Sequence, residues 1–186
     1  MRLEIRAAGF GGQGIIRAGL MLATAACIYG DKNAVETQSY GPESRGGACK
    51  SEVVISDKEI DFPKVSKPDI LIAMSQEAYN QYAHTLKQGG TLLLDSDMVL
   101  KQEKNLDIQV FEIPATKIAE KLKNTIVANV VMLGAFTSIT NLVEVEAIRK
   151  SILDNVPKKT GKLNLAAFEK GYDYGKLLKK KLMVKG

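Results

Sequence analysis

Short apolar runs and longer periodic ones alternate along this chain. "RLEIRAAGF" reads as a compact strand, and "QGIIRAGLMLATAACIYG" behind it repeats apolar residues at helical spacing. That helix carries two apolar stripes, Ile16–Leu20–Ala23–Cys27 and Ile15–Gly19–Leu22–Ala26, so most of its surface is predicted to be buried. "NAVETQS" and "CKSEVVIS" read as a second and a third strand, the latter with rough alternation. "PDILIAM" is apolar almost throughout and predicts a fully buried strand. The helix after it opens at Ser75, a good N-cap, and stops at Gly89-Gly90. "TLLLDS" and "IQVFEIP" are two further strands. Beyond Pro114 the pattern turns helical, with predicted helices over 116–123, 126–141, 145–155 and 164–181.

Strands this uniformly apolar, alternating with helices, predict an α/β fold. The expected architecture is a Rossmann-like three-layer domain: a mostly parallel sheet with helices on both faces, and a helical C-terminal third wrapped on the same sheet. Residues 1–186 then form a single domain, long enough to bury a full core without disulfides or metals. Only "PKKTGK" around Pro157 looks like a linker. The helix from Ile126 is apolar on nearly every side. Gly134, between Leu133 and Ala135, would let another backbone approach closely, either from the chain's own core or from a partner.

Composition narrows the chemistry. Cys27 and Cys49 are the only cysteines, too few for a four-thiolate iron–sulfur or zinc site. His84 is the only histidine, and in "AYNQYAHTLKQGG" it is expected on a helix surface. No metal centre is therefore expected, and no residue is assigned a catalytic role. The apolar stretch 126–143 is interrupted by Asn129, Thr137, Ser138, Thr140 and Asn141, which predicts a buried helix and no membrane span. Met1-Arg2-Leu3-Glu4 leads straight into a strand with no signal-peptide pattern, so a cytoplasmic location is expected. The net charge of +5 favours phosphates or an acidic protein as partners. Much of it sits in Lys176, Lys179, Lys180, Lys181 and Lys185, which read as a solvated helix face, and nucleic acid is not an expected partner.

"GFGGQG" sets Gly9, Gly11 and Gly14 in G-x-G-x-x-G spacing, directly after the first strand and at the start of the first helix. Gly9 suits the tight turn, Gly11 lets backbone approach a ligand, and Gly14 lets helix pack on strand. Gly12 adds a further permissive position. The N–H groups at the helix start would offer a site for an anion. A dinucleotide needs in addition an acid roughly 20 residues on, at the end of the second strand, to hold a ribose. Asp31 comes too early and Glu36 lies inside the strand, so a nicotinamide site is not favoured. A glycine turn used only for packing remains the other reading.

"SYGPESRGG" follows the second strand. If that strand runs parallel to the first, the two loops share the sheet edge at which ligands gather. Arg45 could fork onto a phosphate or carboxylate with Glu43 orienting it, or the two could form a solvated pair. The candidate ligand-facing residues are Gly9, Gly11, Gly12, Gln13 and Gly14 in the first loop, and Tyr40, Glu43, Ser44, Arg45 and Gly46 in the second.

"GFGGQGI" followed by "TQSYGPESRGG", then "ANVVMLGAF" and "NLAAFEKGY", resembles the gamma subunit of the 2-oxoacid:ferredoxin oxidoreductases, and the likeness spans nearly the whole chain. The resemblance implies a share in the coenzyme A-dependent oxidative decarboxylation of a 2-oxoacid, with ferredoxin as electron acceptor. It puts thiamine diphosphate, its magnesium ion and the iron–sulfur clusters in alpha and beta subunits and a ferredoxin-like delta subunit. This chain would then be inactive alone, with its two loops turned to the region where coenzyme A enters and a coenzyme A contact left open. "QSYGPESRGG" leans toward the 2-oxoglutarate class, ahead of branched-chain 2-oxoacids and pyruvate. The competing readings are a free-standing NAD(P)-dependent Rossmann enzyme and a nucleotide-sensing module. The first lacks a substrate domain. The second leaves the second loop and the C-terminal motifs without a purpose.

Overall fold

The computed structural model describes residues 1–40, 48–103 and 106–185. Six strands form one sheet: β1 (Arg2–Phe10), β2 (Asn33–Tyr40), β3 (Ala48–Ser56), β4 (Ile70–Ala73), β5 (Thr91–Asp95) and β6 (Gln109–Ile113). The helices are α1 (Ile15–Cys27), α2 (Gln76–Tyr82), α3 (Ala115–Lys121), α4 (Ala128–Thr140), α5 (Val145–Asn155) and α6 (Gly161–Lys185). All six strands anticipated from the apolar runs are present.

The sheet order is β2-β3-β1-β4-β5-β6. β1, β4, β5 and β6 run parallel, while β3 is antiparallel to both β1 and β2. The expectation of a mostly parallel sheet holds, but β2 is not the parallel neighbour of β1. It is the outer arm of an antiparallel hairpin whose inner arm, β3, pairs with β1 from Arg2↔Ser56 to Phe10↔Ala48. Two reversals restore the direction of β1, so β2 ends at the same sheet edge after all. Tyr40 pairs with Cys49, and Gly9 pairs with Cys49 from the other side.

Side-chain parity sorts the strands into two unequal faces. The larger core joins Ile5, Ile72, Leu93 and Ile113 to residues of α1, α3, α4, α5 and α6. The smaller one, around Leu71, Ala73, Leu92 and Leu94, is covered by Tyr79 of α2, Ala83 and Leu86. On this second face Arg6 of β1 is buried. Its Nε donates to Glu52 of β3 at 2.7 Å, Nη1 to Thr85 Oγ1 at 2.9 Å and Nη2 to the Val65 carbonyl at 2.9 Å. A buried charge is tolerable only with such full satisfaction. Here it ties together two strands, the turn after α2 and the segment leading to β4.

Two expectations for the helices change. On α1, the stripe Ile15–Gly19–Leu22–Ala26 is buried, but Leu20 is 45% exposed and Cys27 is exposed, so the second stripe is partly at the surface. Gly19 is required on the buried side, because a Cβ there would collide with Ser51 of β3. "PKKTGK" is no linker: Lys158–Thr160 form a 3-10 turn and Gly161 begins α6.

Gly134 does admit a second backbone, and it is the chain's own. A Cβ at Gly134 would meet the Phe168 carbonyl and, at 2.8 Å, the Tyr172 nitrogen. A Cβ at Gly171 would strike the Val131 carbonyl, and one at Gly175 would approach the Ala135 carbonyl at 2.8 Å. Glycines on both helices thus let α4 and α6 pack backbone to backbone, which accounts for "ANVVMLGAF" and "NLAAFEKGY" together. Twelve residues of α4, Ala128 to Ile139, are buried within this one chain. No helix among the described residues is long and apolar enough to cross a membrane.

Candidate glycine-loop site

β1 delivers the glycine loop to the carboxyl edge of the sheet, where β1 and β4 lie side by side and the chain departs in opposite directions. The amide of Gln13 donates to the Phe10 carbonyl at 3.2 Å, closing a turn in which Gly12 sits at φ 98°. Few side chains tolerate that conformation. Gly14 follows at φ 74° and ψ 24° as the N-cap of α1. The loop is therefore two left-handed glycines around one side chain, Gln13.

Both ends of the Gln13 carboxamide are engaged with backbone. Its Oε1 accepts from Phe10 N at 2.7 Å, and its Nε2 donates to the Met74 carbonyl at 2.9 Å. It spans the gap between the ends of β1 and β4. A Rossmann enzyme uses that gap for its dinucleotide, but here the chain's own amide fills it.

A second brace comes from α4. Asn129, 5% exposed, donates through Nδ2 to the Gly14 carbonyl at 2.9 Å, and its Oδ1 accepts from Val130 N at 2.9 Å. A Cβ on Gly14 would come within 2.5 Å of that Nδ2. Asn129 was not singled out as a site residue from the sequence. The signal it gave was the one polar side chain in the apolar first half of α4, before Thr137, Ser138 and Thr140.

α1 begins without a side-chain cap and with no acidic residue in its first turn. The first N–H groups of a helix have no intrahelical partner, and the helix dipole leaves positive charge there. Arg17, exposed, is the third residue of α1 and adds a cation to the same turn. A cleft of about 550 Å³ opens beside it, lined by Gly11, Gly12, Ile16, Arg17, Cys49 and Ile126 among others. Burial pushes the Cys49 thiol up from its ordinary value, so it is held neutral and weakly nucleophilic. The cleft is suited to an anionic group with an apolar neighbour. It holds no assembled acid–base pair among these lining residues.

Gly9, Gly11, Gly12, Gln13 and Gly14 are thus brought together. Tyr40 closes β2 at the same edge. Glu43, Ser44, Arg45 and Gly46 lie outside the described residues. Arg17, Asn129 and Ile126 join the site from α1, α4 and the 3-10 turn just before α4.

Among the described residues on the hairpin side of β1, no acid is placed at this edge to hold the ribose of a dinucleotide. The strand beside β1 on the hairpin side is β3, and its residues at this edge are Ala48 and Cys49, neither able to hold a ribose. Glu36 lies mid-strand on β2 and accepts from Ser51 Oγ at 2.6 Å. Asp31 sits before β2. His84 is at the surface, paired with Glu103 at 3.2 Å. Among the described residues, no group of three or more histidine, cysteine or carboxylate side chains is placed to hold a metal ion.

Comparison with known proteins agrees with this picture. The chain is 57% identical over 180 residues to the 2-oxoglutarate synthase subunit KorC of Methanocaldococcus jannaschii, covering 96% of each chain. Its fold matches the gamma subunit of the keto/oxoacid ferredoxin oxidoreductase of Geobacter sulfurreducens, with a TM-score of 0.83 and 44% identity over 93% of this chain and 98% of that one. It also matches the 2-oxoglutarate:ferredoxin oxidoreductase of Magnetococcus marinus, solved with 2-oxoglutarate, coenzyme A and succinyl-CoA bound. There the TM-score is 0.81 and the identity 26%, over 97% of this chain but only 31% of that one. The sequence profile of the pyruvate ferredoxin/flavodoxin oxidoreductase family matches residues 4–174, and this chain belongs to that family.

Proposed function

We propose that this chain is the gamma subunit of a multisubunit 2-oxoglutarate:ferredoxin oxidoreductase, inactive alone and turned with its glycine-loop edge toward the coenzyme A side of the active site. The observation that carries the assignment is 57% identity to a 2-oxoglutarate synthase subunit across 96% of both chains. The reaction joins a 2-oxoacid and coenzyme A to give an acyl-CoA and carbon dioxide, passing electrons to ferredoxin. Thiamine diphosphate, magnesium and iron–sulfur clusters belong to the alpha, beta and ferredoxin-like delta partners. Two cysteines and one histidine in the whole sequence support that division. The complex works in the cytoplasm.

For coenzyme A, the chemistry of the donor set supports a contact. The backbone N–H groups of Gly11 and Gly12, the open first turn of α1 and the Arg17 guanidinium suit phosphate oxygens. Ile126 and Leu20 offer apolar surface beside them. Gln13 and Asn129 act on the ligand only through the backbone: they hold the loop so that its N–H groups need no rearrangement on binding. Coenzyme A supplies the thiol that accepts the acyl group, and this chain's part is to bind and orient it.

Purifying the chain alone and with its alpha, beta and delta partners tests the reading. The isolated chain should show no decarboxylation with thiamine diphosphate, coenzyme A and a viologen acceptor. The complex should turn over 2-oxoglutarate in preference to pyruvate or 2-oxoisovalerate. Activity of the chain alone, or a failure to copurify with the partners, would overturn it.

A further inference from the structure

The segment after β5 presents a leucine to solvent and is firmly tied down while doing so. Leu100 is 80% exposed, more than any other large apolar residue recorded among the described ones. Its own backbone N–H and that of Lys101 both donate to Gln76 Oε1 at 2.9 Å, and Gln76 Nε2 donates to the Lys101 carbonyl at 2.8 Å. Glu103 N donates to Tyr79 Oη at 2.8 Å, and Val99, one residue before Leu100, is buried. Two side chains of α2 thus fix the backbone at and after Leu100, and the buried Val99 holds it just before, while the leucine itself stays exposed. A shallow notch of about 320 Å³, lined by Gln76, Asn80, Met98, Leu100 and Lys101, lies beside it.

We propose that Leu100 is the anchor of the docking surface for the larger subunit, with the Gln76–Asn80 notch receiving a side chain in return. The inference rests on the gamma-subunit reading and names the surface by which that subunit joins its complex. A loose loop would let Leu100 fold back onto the chain. Fixing it exposed lowers the entropy lost on docking, as in interface hot spots that enter a pocket already ordered. The occupant follows from the Magnetococcus marinus relative, in which the part matching this chain is 31% of a longer chain. The remainder of that chain is tethered to this domain at high effective concentration. The Methanocaldococcus jannaschii relative, matched over 96% of its length, is itself a subunit; on the gamma-subunit reading the corresponding piece is then a separate subunit, and the contact must replace the tether. The surface also adjoins the candidate site's edge of the sheet, since Leu100 follows β5 where Met74 and the glycine loop follow β4 and β1. The partner surface should offer an apolar pocket, with an acidic group for Lys101.

Leu100→Asp should weaken association with the larger subunit by about thirtyfold or more, without changing the melting temperature of the isolated chain. Gln76→Ala should weaken it by about three- to tenfold, because Leu100 remains but is no longer fixed. Phe62→Asp, at a position 59% exposed on the opposite edge of the sheet, serves as the control and should have no effect. A photo-crosslinking residue at position 100 in the assembled complex should capture the larger subunit, and one at position 62 should not. If the wild-type chain assembles and Leu100→Asp assembles equally well, or if position 100 crosslinks only to a second copy of this chain, the inference fails while the subunit reading stands. If the wild-type chain does not assemble at all, both fail.

Discussion

The Nδ2 of Asn129 donates to the carbonyl of Gly14, 115 residues earlier in the chain, and so couples the first turn of α4 to the start of α1. The Gly14 carbonyl also accepts from Ala18 N, the first hydrogen bond of α1. One buried carboxamide therefore sets where the helix begins and where its free N–H groups point.

Replacing Asn129 tests that coupling. Asn129→Ala leaves Val130 N and the second lone pair of Gly14 without their partner, and should cost about 1–3 kcal/mol of stability. Asn129→Asp should cost at least as much, because a carboxylate oxygen would face the Gly14 carbonyl. Denaturant unfolding of the isolated chain measures both. In the assembled enzyme the alanine variant should raise the KM for coenzyme A more than it lowers kcat.

The glycines supply a graded series. Gly171→Ala drives a Cβ into the Val131 carbonyl, with backbone on both sides and no room to yield, and should cost about 3 kcal/mol. At Gly12 a Cβ would meet nothing within 4 Å, but φ is 98°, so Gly12→Ala should cost only about 1–2 kcal/mol of backbone strain. Thermal melts of the two variants should separate them clearly. Equal losses would mean that α4 and α6 are not packed backbone to backbone.

Much of this could be read in advance, and the reason is local. Each strand is an apolar run bounded by turn residues, and Ser75 does cap α2, accepting from Ala78 N at 3.1 Å. What escaped were relations between distant segments. Nothing in "NAVETQS" or "CKSEVVIS" says that the two strands form a hairpin inserted beside β1. The shared sheet edge follows from direction, since β2 does run the same way as β1, but the intervening β3 is not announced: one reversal sets Tyr40 opposite Cys49 and a second sets Cys49 opposite Gly9. Gly134 announced a close backbone approach, but only the matching glycines 171 and 175 reveal that the partner is α6. Gln13 and Asn129 looked like a ligand contact and a helix interruption. Both are braces, because a carboxamide can satisfy two backbone groups that no sequence pattern links.

Two aspartates should respond to pH in opposite senses. Asp57 accepts from Lys32, and that bond, with one from the terminal amine, lowers its pKa to about 2 from 3.8. Its contribution is present above the unfolded-state value and is lost as pH falls through the folded one. Asp95, buried at the end of β5, is raised above 3.8 by desolvation, against the lowering effect of Thr116 and the Asp97 amide. Its folded form keeps the proton longer than the unfolded chain, so stability falls as pH rises from the unfolded value through the folded one. Carboxyl chemical shifts followed by NMR should give midpoints on either side of 3.8.

Arg17 and Arg45 are the two guanidinium groups we propose for the coenzyme A side, the first from the cleft it lines and the second from the sequence of its loop alone. Removing a hydrogen bond to a charged group typically costs about 1.5–3 kcal/mol, so in the assembled enzyme each alanine variant should raise the KM for coenzyme A by roughly ten- to a hundredfold. kcat at saturating coenzyme A should hold, because the proposed function puts the chemistry on the partner subunits. Lysine at either position should restore only part, since a point charge cannot replace a two-pronged contact with phosphate. Raising the salt concentration should narrow the gap between wild type and variants, as exposed charges are screened. The isolated chain should melt unchanged for Arg17→Ala, whose side chain is exposed. If both variants keep the wild-type KM, the cleft beside the glycine loop does not face coenzyme A, and its open N–H groups serve only to start α1.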